Sequence, residues 1–203
     1  MNYWWVNHRQ TFKQEFGGGY MWSPKTNKNG GKSHFYDNMT RVKAGDIVYS
    51  FAYGQIQAVG VVMSGASSYR KPEEFGKTGD NWENEGWYVP VKFERYGKPF
   101  RPKDKMDVIA PLLPAKYPPI QANGNGNQAA YLSLVSKQLA SNLNALIGEN
   151  SLINRLRDDQ AEHEDDQAEH ELIKSENITE TEKEQLVKAR RGQGRFRSNV
   201  ERI

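Results

Sequence analysis

The chain has 203 residues, 26% of them charged and none of them cysteine, with a formal net charge of +3. That length suits one domain, or one domain and an appendage. The lack of cysteine excludes a disulfide scaffold, a thiolate zinc site and a cysteine nucleophile together. No stretch approaches the roughly 20 apolar residues that span a bilayer, and the opening MNYWWVNHRQ lacks the basic-then-apolar order of a secretory signal, so a cytoplasmic protein is expected.

The composition is uneven along the chain. Of 23 aromatic residues, 22 lie at or before Tyr131, and all nine prolines lie at or before Pro119. The net charge is +6 up to Tyr131 and −3 after it. The second part divides again: residues 149–184 carry 13 acids against 4 bases, and 185–203 carry 6 bases against one acid. Charge blocks of this kind mark solvated helices or interaction segments rather than a core.

In chain order, Tyr3-Trp4-Trp5-Val6 reads as a buried strand, and Thr11 to Phe16 has room for a short helix. Gly17-Gly18-Gly19 reads as a flexible turn before Tyr20-Met21-Trp22, since it lacks the Gly-Lys-Ser/Thr ending of a phosphate loop. Asp46–Phe51 and Ile56–Val62, separated by Tyr53-Gly54-Gln55, read as a hairpin. Trp87–Phe93 is a further strand, with Pro90 expected at an edge or a bulge. Prolines 99, 102, 111, 114, 118 and 119 break the next stretch into loop and short turns. Short strands with turn signals between them predict a small curled β-barrel with short helices, an α+β fold.

After that the chain reads as helix. Leu132, Val135, Leu139, Leu143 and Leu146 form an amphipathic stripe closed by Gly148. Leu152 to Ile173 is a second helical segment and contains a perfect tandem heptad, Asp158 to Glu164 repeated as Asp165 to Glu171. Seven residues are two helical turns, so repeated side chains return to nearly one face; the repeat is too polar for a core and reads as a solvated spacer. Thr179 with Glu182 three residues on is a capping box that starts a third helix. His163 and His170 lie about 10 Å apart along a helix of 1.5 Å rise per residue, too far to share one metal ion.

Two features carry chemistry. Gly124-Asn125-Gly126-Asn127-Gln128-Ala129 fits G-x-G-x-x-A, but the segment before it is a poor strand, so a dinucleotide site lacks its context. Glycines still let a backbone approach a ligand closely, and a helix starting at Tyr131 would offer free N–H groups to a phosphate; a plain glycine-rich loop is the alternative. Trp82 stands in the polar loop 79–86, where no core periodicity calls for it. Trp82 and Tyr131 in a basic domain suit base stacking, worth about 1–3 kcal/mol per base; the plainer reading folds Trp82 back over the barrel end. Trp4, Trp5, Trp87 and Phe93 read as core, and Trp22 fits either role. Lys25, Lys28, Lys32, Arg41, Lys43, Arg70 and Lys71 cluster on loops with polar neighbours, as phosphate contacts do.

The pieces Tyr3-Trp4-Trp5-Val6, Trp22-Ser23-Pro24, Gly45–Val48, Ala58–Val62 and Trp87–Val91 together resemble an EVE domain of the PUA superfamily. Pro111–Pro114, Asn123–Gln128 and Tyr131-Leu132 resemble the versions fused to HNH nucleases, and residues 189–197 resemble the basic lead-in of the nuclease domain. The resemblance implies a PUA-like reader at 1–148, a charged helical linker at 149–187 and the start of an HNH domain at 188–203. It implies a sensor of modified DNA that flips 5-methylcytosine or 5-hydroxymethylcytosine into an aromatic pocket. The implied pocket residues are Pro24, Trp82, Tyr131 and Trp22, with Ser50 reading a base edge. The implied phosphate contacts are the seven basic residues above with Asn125, Asn127 and Gln128. The histidines and asparagine of an HNH site do not appear before Ile203, so a chain that stops short of the catalytic residues and does not cut DNA alone is expected. No cofactor is expected in it; a divalent metal belongs to the HNH domain. Modified DNA is the expected partner, with no membrane, and a homodimer through the linker or the nuclease domain is a candidate. An RNA-binding PUA-like module is the alternative, and a dinucleotide-dependent enzyme or hydrolase rests on the G-x-G-x-x-A match alone.

Overall fold

A computed structural model describes residues 1–174 and Lys188. The chain divides into two units, Met1–Arg157 and Asp158–Ile203. The first is α+β. Its elements are β1 (Tyr3–Asn7), α1 (Phe12–Gly18), β2 (Tyr20–Pro24), α2 (His34–Asp37), β3 (Ile47–Ala52), β4 (Gln55–Val62), β5 (Ser67–Arg70), β6 (Glu85–Phe100), α3 (Met106–Ile109), β7 (Leu132–Val135), α4 (Lys137–Ile147) and the first turns of α5 (Asn150–Lys174). The strands form one curled mixed sheet in the order β2-β6-β4-β3-β1-β7, with β5 on β6.

β1 lies parallel to β3 and antiparallel to β7. A strand buried on both faces reads as an unbroken apolar run, and Tyr3-Trp4-Trp5-Val6 is one. Trp4 and Val6 face one core with Met21, Val48 and Leu132. Trp5 faces the other, with Tyr49, Leu139, Leu143, Leu152 and Leu156. Fully burying each of those leucines contributes about 1.5–3 kcal/mol.

The expected hairpin is β3–β4. Its two-residue turn places Tyr53 and Gly54 at φ 55° and 78°, the paired positive values of a type I′ turn that matches strand twist. Gln57 falls at a register shift against both β3 and β6; such bulges bend a strand and help curl the sheet.

β6 runs well past the expected Phe93, to Phe100. Residues 96–99, with Pro99, bow out between the Arg95–Ala58 and Phe100–Ile56 pairs, so the proline interrupts no ladder bond. Pro90 sits where β6 changes partners, from β2 and β5 before it to β4 after it. The missing donor thus falls at the changeover.

The helix expected from Leu132 begins only at Lys137. Leu132–Val135 is a strand on β1, and the Ser136 Oγ accepts from Leu139 N at 3.1 Å as the N-cap. Gly148 closes α4 in the left-handed conformation, φ 77°. The leucine stripe is shared between a strand and a helix, which the 3–4 spacing alone does not distinguish. Gly17 and Gly18 end α1, and Gly19 is its left-handed cap, so the expected flexible turn is a helix terminus.

In the second unit, α5 continues as helix through the tandem heptad to Lys174, and most of the described side chains there are exposed. The capping box at Thr179 and the basic stretch at 189–203 lie outside the described residues. Among the described residues no helix is long and apolar enough to cross a membrane.

Candidate functional site

A cavity of about 720 Å³ opens at one end of the curled sheet. Seven chain segments supply its lining: the end of β1 with the turn after it (Asn7 to Thr11), the end of β2 (Trp22 to Pro24), Tyr36 of α2, Phe51 of β3 with the β3–β4 turn, Trp82, the segment with Arg101 and Lys103, and the loop from Gly124 to Tyr131.

The GNGNQ loop is a built wall. Gln121 N donates to Asn125 O at 2.8 Å, Gly124 N to Gln121 O at 2.8 Å, and Asn127 N to Pro119 O at 3.1 Å. The Asn7 side chain, from β1, donates to Pro119 O at 2.6 Å. Gly124 has φ 80°, and a Cβ there would lie 2.7 Å from the Lys103 Cα, so only glycine fits. The Asn127 amide is spent inside the loop, donating to Pro118 O and accepting from Ala129 N. Asn125 and Gln128 make no side-chain hydrogen bond among the described residues and line the cavity. A strand, not a helix, comes after this loop, so the expected helix N-terminus for a phosphate is absent from it.

The aromatic candidates converge. Trp82 is half-buried on the cavity wall, 6.1 Å from the Trp22 ring and edge-on to Phe75 at 6.0 Å. It therefore both packs on the domain and presents a face. Trp22 is buried, and its indole lies against the backbone of β6: a Cβ on Gly86 would meet the ring at 2.2 Å. Pro24 and Tyr131 complete that side.

Tyr131 is fixed by its hydroxyl. The oxygen accepts from Trp22 N at 2.9 Å and its proton is directed to the Glu15 carboxyl, 3.1 Å from each oxygen. Burial, with the Glu15 carboxyl beside it, pushes the Tyr131 hydroxyl well above its usual range. Trp22 belongs to one edge strand of the sheet, and Tyr131 immediately precedes the other. One side-chain hydrogen bond thus joins edges that no ladder joins.

Glu15, wholly buried, also accepts from Thr11 Oγ1 at 2.9 Å and from His8 Nδ1 at 2.6 Å. The other His8 nitrogen lies 2.7 Å from Ser50 Oγ. Ser50, His8 and Glu15 stand in the order of a nucleophile, base and acid. A nucleophile must reach its substrate, and Ser50 is fully buried and absent from the cavity lining. These hydrogen bonds instead link α1 and β3 to His8, a lining residue. The structure does not bring Ser50 to the cavity; it stands behind His8. His8, Thr11 and Glu15 went unnoticed in the sequence because their relation, a carboxyl seven residues after a histidine across a turn, has no motif.

None of the seven expected basic residues lines the cavity. Lys25 donates to Ser68 Oγ at 2.6 Å and lies over the Trp87 ring. Arg41 donates to the Asn38 side chain, and Lys71 to Gly79 O. Lys28, Lys32, Lys43 and Arg70 are exposed. The cations in the lining are Arg9, Arg101 and Lys103; the last two stand in the basic run Lys98 to Lys105, and the fold brings Arg9 to them. Among the described residues, no group of three His, Cys, Asp or Glu side chains could hold a metal ion.

No protein-family profile matches the chain, and no curated protein matches it by sequence. Solved structures are similar to it at low identity. A hypothetical protein of Leishmania major gives a TM-score of 0.48 at 9% identity, covering 74% of this chain and 97% of that one. A mutant ASCH protein of Zymomonas mobilis gives 0.45 at 8%, covering 72% and 99%. A YTH domain in complex with m6A gives 0.44 at 9%, covering 72% and 85%.

Proposed function

We propose that the first unit is a PUA-like nucleic-acid reader that takes a flipped, modified cytosine of DNA into this cavity. The observation that carries the reading is the convergence of Trp82, Tyr131 and Pro24 on one cavity whose lining also holds Arg9, Arg101 and Lys103. Aromatic faces stack any base, and the cations suit the phosphates on either side of it. The volume lies within the range of small-ligand sites, roughly 300–1,000 Å³. Unstacking a base costs a few kcal/mol, which a rigid stacking face helps to offset, and the Tyr131 ring is held at its hydroxyl by two partners. A methyl or hydroxymethyl group on the base adds contact with those walls. The EVE resemblance of the strand pieces supports the same reading, and that of residues 189–197 supports a role in directing an HNH nuclease to modified DNA.

The test is binding to matched duplexes with and without one 5-methylcytosine, and to a single-stranded RNA of the same sequence. The reading expects preference for the modified duplex, lost in Trp82→Ala. Equal affinity for the two duplexes, unchanged by Trp82→Ala, overturns it, and preference for the RNA makes the module an RNA binder.

A further inference from the structure

Ser23 holds the one lining hydroxyl described as buried with no hydrogen-bond partner among the described residues. The residue is 1% exposed. Buried polar groups in native proteins are nearly always paired, so such an orphan calls for an explanation.

Its position supplies one. Alternate residues of a strand face opposite sides, which puts Ser23 on the side of Met21. Met21 is wholly buried in the interior core with Trp4, Val6 and Leu132. Ser23 is one step further along β2, where that interior meets the cavity. Of the other polar side chains in the lining, Tyr131 is committed to Trp22 N and Glu15, His8 to Glu15 and Ser50, and the Asn127 amide to its own loop; Asn125 and Gln128 are uncommitted among the described residues but exposed. A hydroxyl both donates and accepts, so it can meet a ring nitrogen, an exocyclic amine or a carbonyl oxygen.

We propose that Ser23 Oγ is the base-edge contact of the cavity, the side chain that completes its hydrogen bonding only when a nucleobase is inserted between Trp82 and Tyr131. This rests on the reader function above and names Ser23 as a specificity-determining residue of that site.

The test is Ser23→Ala, with two readouts. One is the melting temperature of the free protein. The other is affinity for a duplex carrying 5-methylcytosine and for the same duplex with an abasic site there. An orphan hydroxyl stabilises nothing in the free protein, so the variant should melt at or above the wild-type temperature. It should bind the modified duplex about tenfold more weakly, a loss of about 1.4 kcal/mol, and bind the abasic duplex as wild type does. A lower melting temperature with undiminished affinity, or failure to fold, makes the hydroxyl structural and overturns the proposal. An equal loss on the abasic duplex places its contact elsewhere and also overturns it. If the wild-type protein binds modified, unmodified and abasic duplexes alike, the reader function itself fails, whatever Ser23→Ala does.

Discussion

The backbone N–H of Trp22 donates to the hydroxyl of Tyr131, 109 residues further along the chain, at 2.9 Å. That bond ties β2 to the start of β7, the two edges of the curled sheet, and it fixes a cavity wall at the same stroke. Tyr131→Phe keeps the ring and deletes the bond, leaving Trp22 N–H and the Glu15 carboxyl each short of a partner. A buried group left unpaired costs about 1–3 kcal/mol. The expected outcome in urea unfolding is a loss of that size and, on the proposed reader function, weaker DNA binding from a less firmly held wall.

Glu15 and Tyr131 should also be coupled. Glu15→Gln preserves shape but turns an amide toward groups that donate: His8 Nδ1, Thr11 Oγ1 and Tyr131 Oη. Members of one buried network typically show interaction energies of about 0.5–3 kcal/mol. A double-mutant cycle of Glu15→Gln with Tyr131→Phe should return a value in that range; strict additivity would show that the network is not a unit.

Gly86→Ala places a methyl 2.2 Å from the Trp22 ring and 2.6 Å from Ser23 O. Neither the buried ring nor the strand can move freely, so overpacking of about 1–3 kcal/mol is expected. Tryptophan emission should shift as Trp22 and its neighbour Trp82 change surroundings, and, on the proposed reader function, affinity for modified DNA should fall although no proposed ligand contact has been deleted.

Alkaline pH should unfold the domain early. Tyr131, Tyr49 and Tyr96 all lose protons less readily than usual, chiefly through burial, with Glu15 beside Tyr131 and Glu149 acting on Tyr96. Each folded value is raised above the unfolded one, so the associated stability is complete below about pH 10, where unfolded tyrosines begin to ionise. It is lost as the pH rises further, at about 1.4 kcal/mol per pH unit for each such tyrosine. Melting temperatures from pH 8 to 11.5 should hold until about pH 10 and then drop, less steeply in Tyr131→Phe.

The two basic sets make opposite predictions. If Arg9, Arg101 and Lys103 flank the bound base, neutralising each lowers the salt slope of duplex binding by roughly 0.9. Lys25→Ala, whose ammonium is engaged by Ser68 and Trp87, should leave the slope unchanged. Affinity measured between 50 and 200 mM salt separates the two sets.

Much of the domain was legible before its shape was known, for reasons that differ by element. Tyr3–Val6 announced a strand because both its faces are buried. The β3–β4 hairpin was legible from two β-type runs separated by Tyr53-Gly54-Gln55, whereas the positive φ of Tyr53, unusual for a non-glycine residue, was not. Trp82 and Tyr131 stood out as aromatic residues in or beside polar loops, and Pro24 only through the EVE resemblance; the fold places all three on one cavity. Leu132–Val135 misled because its apolar residues continue in helical phase with Leu139 and Leu143, and nothing local reveals that β1 is waiting for a partner. The Ser50–His8–Glu15–Tyr131 chain was invisible because its two long steps, His8 to Ser50 and Glu15 to Tyr131, span 42 and 116 residues. Arg101 and Lys103 are sequence neighbours, but nothing local shows that they and Arg9 line one cavity.

β1 draws its partners from opposite ends of the domain: β3 about forty residues on, and β7 about 130 residues on. Contacts of such wide sequence separation are slow to form, because a long loop must be ordered before they stabilise anything. On a ribosome, β1 through β6 would be in hand while one flank of β1 still lacked its neighbour and Tyr131 had not yet reached Trp22. A nascent chain paused there carries an open apolar strand edge, the kind of surface that aggregates or recruits chaperones. The cavity is therefore among the last features of the domain to exist, so a folded cavity reports that the whole sheet has been completed.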